Sequence, residues 1–137
     1  MQTSCFHNYS GQGRIIISRG WPRTGLGSGY KIFRPLAPGA WFRLPEYYSN
    51  QDKYSERYHR EILAPLDEQR VYDRLHELAD GAEPILLCWE KDPSKPDEWC
   101  HRRMVADWFA DKLGVIVPEY VKPAKAEKSK QPSLFEA

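Results

Sequence analysis

The sequence predicts an α/β domain: a small, three-layer, mostly parallel sheet flanked by helices and followed by a disordered C-terminal tail. Three observations lead there. Short β-branched or apolar runs alternate with stretches of helical period, which is the order that builds parallel neighbours in a sheet. The chain has 137 residues, room for one modest core and not for two. Beyond residue 121 the composition turns to KPAKAEKSKQ, which has no apolar period to bury. The expected division is a domain over 1–120 and a tail over 121–137.

Residues 2–6 and 14–18 (RIIIS) are short β-branched or apolar runs separated by Gly11 and Gly13, and both read as strands. RIIIS is apolar on both faces, as a central strand is. Residues 19–40, RGWPRTGLGSGYKIFRPLAPGA, are punctuated by Gly and Pro and read as a long ordered loop. Loops of that length in compact domains are functional or disordered, and the aromatics argue against disorder. Helices follow over 45–63, with a break near Asn50, and over 68–79. In the second, Asp67 is placed to cap, Val71, Leu75, Leu78 and Ala79 share a face, and Gly81 ends the run. Residues 84–89, PILLCW, read as a third strand and 90–97 as a loop. Asp97 is then placed to cap a helix over 98–113 with Val105, Trp108, Phe109 and Leu113 as its apolar stripe. Gly114 ends that helix, and 115–117 read as a last strand.

The formal net charge of +1 hides a strong polarity along the chain. Residues 1–45 hold six Lys/Arg and no Asp or Glu, residues 46–120 hold ten against seventeen, and residues 121–137 hold four against two. The first group is Arg14, Arg19, Arg23, Lys31, Arg34 and Arg43, interleaved with Trp21, Tyr30, Phe33, Trp41 and Phe42. Cations among aromatics suit phosphates with stacked bases or sugars. The competing reading is that these cations pair with the acidic second half across the fold. The three cysteines, Cys5, Cys88 and Cys100, are odd in number in a chain whose start does not read as a secretion signal, so thiols are expected. No apolar run approaches the roughly 18 residues of a membrane span, and the expected location is the cytoplasm, with no membrane partner.

In open α/β sheets ligands bind beyond the carboxyl ends of the strands. Ser18, Arg19 and Gly20 follow the second strand, and Glu90 and Lys91 the third. The helix expected after Asp97 brings Cys100, His101, Arg102 and Arg103 to its first turn, where free N–H groups and the dipole favour an anion. Glu90 is a candidate general acid or base, with Arg19 or Arg102 holding a phosphate, or else it pairs with an arginine beside it. Cys100 near a helix start is a candidate nucleophile or a buried inert cysteine. Cys88, Cys100 and His101 as metal ligands lack any CxxC or HxxxH pair, so no metal is assigned and no cofactor is named.

Several segments together resemble the domain of unknown function 488 family. They are TSCF (3–6), ISRGWP (17–22), YKIFRPLAP (30–38), LDEQRVYDRL (66–75), LLCWEKD (86–92) and CHRRMVADW (100–108). The resemblance runs in order through most of residues 1–113, and Cys-aromatic-Glu with Cys-His-Arg is its most specific part. It implies a compact α/β domain of bacteria, archaea or their phages, with Arg19, Glu90, Cys100, His101 and Arg102 as site candidates. It implies no particular activity. Residues 91–99 form a longer loop than the family's usual one.

The tail carries a second resemblance. QPSLF (131–135) is similar to the peptide by which DNA replication and repair proteins bind the bacterial sliding clamp. Gln131, Ser133, Leu134 and Phe135 are the matching positions, and Pro132 favours an extended backbone. The expected function is a DNA-associated enzyme acting on a nucleotide or base, at a glycosidic or phosphate-linked bond, and recruited by the clamp. Its phosphate-binding candidates are Arg19, Trp21, Arg23, Lys31, Arg34, Arg102 and Arg103. The alternative is a non-enzymatic module that binds nucleic acid or competes for the clamp.

Overall fold

The computed structural model describes residues 1–123. Its four strands are β1 (Gln2–Cys5), β2 (Arg14–Ile16), β3 (Lys31–Ile32) and β4 (Ile85–Cys88). They form one all-parallel sheet in the order β1-β4-β2-β3, so the α/β class stands. β4 enters last and takes the slot between the first two strands, with Cys5 beside Cys88 on one side and Ile16 beside Leu87 on the other. A strand with a neighbour on each side is apolar throughout, and all of Ile85, Leu86, Leu87 and Cys88 are buried.

The helices are α1 (Pro45–Tyr48), α2 (Gln51–Tyr58), α3 (Glu68–Ala79) and α4 (His101–Leu113), with a π-helical turn, His59–Leu63, continuing α2. Asn50 breaks the first helical stretch by capping α2, its side-chain oxygen accepting from the Lys53 N–H at 3.1 Å. Asp67 caps α3 in the same way through the Arg70 N–H at 2.9 Å. Both are capping interactions that the residue types predict. α3 and α4 pack on each other and on the sheet, where Ile15, Ile17 and Leu86 meet Leu75, Val105 and Phe109 in one core.

On the opposite face Ile16, Ile85 and Leu87 are buried as well. Arg14 shares that face and anchors the glycine-rich loop there, donating to the carbonyls of Gly11 (2.9 Å), Leu26 (2.6 Å) and Ser28 (2.5 Å). The carbonyls of Leu26 and Ser28 alternate with Gly25, Gly27 and Gly29, all three at positive φ. That winding is open to glycine at little steric cost, and it turns successive carbonyls toward one guanidinium.

Three element boundaries differ from the sequence reading. α4 begins at His101, with Cys100 and not Asp97 at its N-cap and no side chain closing the cap. The loop over 19–40 contributes β3, which pairs with β2 through Ile15 to Lys31 and Ile16 to Ile32. Residues 115–117 form no strand. The chain instead meets the sheet two residues later, where Thr3 bridges to Glu119 through the Pro118 carbonyl and the Tyr120 N–H. No helix of the described residues is long and apolar enough to cross a membrane.

Candidate functional site

A cavity of about 320 Å³ opens beyond the carboxyl ends of β2 and β4. The two strand ends supply Ser18 to Trp21 and Cys88 to Glu90, and the start of α4 supplies Cys100 and His101. Arg19, Glu90, Cys100 and His101 therefore share one pocket. Its remaining walls are aromatic: Trp21 and Phe42 from the loop segment, Tyr48 and Tyr54 from α1 and α2, and Trp89 and Trp99 around the mouth of β4.

Trp89 is half exposed although it follows a fully buried strand. Its indole N–H donates to the Gly20 carbonyl at 2.9 Å, and its ring meets Phe6 edge-on at 5.1 Å. An exposed aromatic so fixed is a preformed stacking surface. Trp99 meets Tyr54 edge-on at 4.8 Å, so the far wall is also held in place.

Glu90 lies at the mouth and keeps contact with solvent. Desolvation by the surrounding wall raises its pKa; a backbone hydrogen bond and Arg102 act the other way, and Glu98 adds to the rise. Burial, and then the Glu90 charge, pushes the Tyr54 phenol well above its ordinary value, so it stays a hydrogen-bond donor. His101 is buried, its Nε2 at 2.8 Å from the Ile17 carbonyl. Burial first, with help from Arg102 and against the Ile17 hydrogen bond, pulls its pKa down to about 4. A neutral imidazole tied to a carbonyl is a positioned group and not a proton carrier near neutral pH.

The cysteines depart from the expectation of free thiols. The structure joins Cys88 to Cys100, and of the three only Cys5 is free and buried. In the joined state Cys100 has no thiolate with which to attack. The two are twelve residues apart in sequence, one ending β4 and the other capping α4, and no local spacing announces that they meet.

The predicted cations separate into two sets. Arg102 is fully buried and spends its guanidinium on the Glu119 carboxylate, at 3.0 and 2.8 Å, and on the Cys88 sulfur at 3.1 Å. Arg103 donates to the Thr3 hydroxyl at 2.9 Å and the Val117 carbonyl at 2.8 Å. Both serve the chain after α4, which corrects their assignment to phosphate. Glu119, which the sequence reading overlooked, announces itself only as an isolated acid between Asp111 and Glu127.

Arg19, Arg23, Lys31, Arg34 and Arg43 are all exposed. Among the described residues none of the basic positions from 14 to 43 forms a salt bridge. Their alternative of pairing with the acidic half is not taken up there. Arg19 and Arg43 line the cavity, and Arg34 lies over Trp21 at 5.8 Å; Arg23 and Lys31 lie outside it. Gln131, Ser133, Leu134 and Phe135 lie outside the described residues.

Fold and site together define a small α/β domain whose pocket sits at the carboxyl edge of a parallel sheet. Residues 10–109 match the model of the family described as domain of unknown function DUF488, and the chain belongs to that family. No curated protein matches the chain. No solved structure matches it either.

Proposed function

We propose that the chain is a nucleic-acid-associated enzyme that admits a nucleotide or base to this pocket and acts on its glycosidic or phosphate-linked bond. The observation that carries the reading is the joining of two surfaces. Exposed arginines without carboxylate partners, Arg19 and Arg43, stand on a cavity walled by Trp21, Trp89 and Trp99. Arginines on such a rim hold phosphates, and indoles take up bases by stacking. A cavity of about 320 Å³ has room for a single nucleotide and not for a duplex, so a base in duplex DNA would leave its stack to enter. Glu90 is the carboxylate at the mouth, placed to give or take a proton at the bond, and Tyr54 donates a hydrogen bond from the wall. The tail peptide 131–135 would bring the domain to a sliding clamp, where Leu134 and Phe135 fill an apolar pocket and Gln131 and Ser133 orient them.

The test offers single-stranded DNA, duplex DNA and free nucleotides to the wild-type chain and to Glu90→Gln, with products read by mass spectrometry. The expected result is product from one of these with the wild type, and loss of product but not of binding or thermal stability with Glu90→Gln. Salt-dependent binding without product from any substrate would replace the enzyme by a binding module. Absence of binding at low salt would overturn both. Clamp recruitment is measured separately by titrating the full chain and a chain ended after Lys130 against the clamp. Only the full chain should bind, weakly, in about the micromolar range expected when two buried apolar side chains must offset the ordering of a tail. Equal binding by the two would remove the tail from the proposal.

A further inference from the structure

We infer that Cys88, Cys100 and His101 form a binding site for one divalent, thiophilic metal ion, with zinc the best fit. The inference stands whether or not the pocket takes a nucleotide. The Cys88 and Cys100 sulfurs and a ring nitrogen of His101 lie within 4.8 Å of one another, and all three residues are buried. Two sulfurs and one imidazole nitrogen are a donor set that selects zinc among the common divalent ions.

His101 supplies the independent observation. Its Nε2 lies 2.8 Å from the Ile17 carbonyl, an acceptor, so Nε2 carries the proton and Nδ1 keeps a lone pair. That Nδ1 points at the Cys100 sulfur, 3.8 Å away, inside a side chain only 5 % exposed. A sulfur joined to another sulfur has no hydrogen to offer, so the lone pair faces the cysteines without a donor. A second ring nitrogen held on a backbone carbonyl is the arrangement that orients a metal-ligating histidine. The distance also fits, since a nitrogen and a sulfur on one tetrahedral zinc are about 3.6 Å apart when the bonds are about 2.1 and 2.3 Å.

The backbone agrees. The Cα atoms of Cys88 and Cys100 stand 7.6 Å apart, wider than the usual disulfide span of about 4.4–6.8 Å. Two thiolates on one ion need their sulfurs only about 3.8 Å apart, which side-chain rotation from those backbones provides. Arg102 Nη1, at 3.1 Å from the Cys88 sulfur, donates to that ligand from behind. Since all three residues line the cavity, the fourth coordination position faces it, open to water or to a ligand's oxygen or nitrogen.

The chemistry balances in two steps. A dithiol reductant gives two electrons and two protons to the Cys88–Cys100 disulfide, leaving two thiols and an oxidised reductant. One divalent ion then displaces both thiol protons to solvent, and the two thiolates neutralise its charge.

The test titrates Co²⁺ into the full chain after reduction and removal of the reductant under nitrogen. The expected result is one ion per chain, with a thiolate-to-cobalt charge-transfer band and tetrahedral ligand-field bands that Zn²⁺ abolishes. Cys5→Ser should keep those bands. Cys88→Ser and His101→Gln should lose or shift them, and circular dichroism checks that each variant is folded. If a variant unfolds, the bands of the wild type and of Cys5→Ser decide the matter alone. Three titratable thiols with no charge-transfer band would overturn the inference, leaving a hydrogen-bonded thiol pair. A Cys88–Cys100 disulfide that survives the reductant would overturn it as well.

Discussion

The arginines of the glycine-rich loop and those of helix α4 were candidates for the same task, and the fold divides them. Arg19, Arg23 and Arg34 stay at the surface with no carboxylate partner among the described residues. Arg102 and Arg103 lie near a helix N-terminus, where an anion is favoured, yet both are bonded within the protein. The anion that arrives is Glu119, carried there by the chain after α4. A basic residue near a helix start therefore marks an anion site without saying whether the anion is a ligand or a distant part of the same chain.

Substitution breaks or sharpens this contrast, and the largest effect belongs to Arg102. Arg102→Met strands the Glu119 carboxylate, three-quarters buried, and should cost about 3 kcal/mol of unfolding free energy in a denaturant titration. DNA affinity per folded molecule should not change. Adding Glu119→Gln should restore much of the loss, since the unpaired charge goes with it. Arg103→Ala removes two hydrogen bonds from a partly buried guanidinium and should cost about 1–2 kcal/mol by the same measurement. The triple change Arg19→Ala, Arg23→Ala, Arg34→Ala should leave stability within about 0.5 kcal/mol, as surface substitutions do. Its effect should appear instead in DNA binding, as a salt dependence flatter by about 0.9 per lost duplex contact, or about 0.7 on single strands. A large stability loss in the triple variant, or a changed salt slope in Arg103→Ala, would erase the distinction.

What the sequence made legible was local. Asn50 and Asp67 announce their helices because a cap is written within four residues of the N–H it satisfies. The placing of Arg19 and Glu90 beside one cavity followed from the rule that sites gather past the carboxyl ends of parallel strands. What stayed hidden depends on contacts between distant segments. Residues 31 and 32 look like loop until β2 is beside them, since a two-residue strand has no period of its own. The apolar residues 115–117 suggested a strand, but the bridge formed two residues later, at Glu119, which Arg102 also holds. Asp97 has the right side chain for a cap, but Cys100 takes the position, and with it comes the approach to Cys88.

The Thr3–Glu119 bridge has one more effect. β1 is the outermost strand of the sheet, and an outer strand with open amides and carbonyls invites pairing with another chain. Residues 118–120 occupy that side at its middle, taking the Thr3 N–H and returning a donor to the Thr3 carbonyl. The family match ends at residue 109, before this cover begins. A chain cut at that border would keep every strand and still lose the seal on its edge, and its first defect would be self-association.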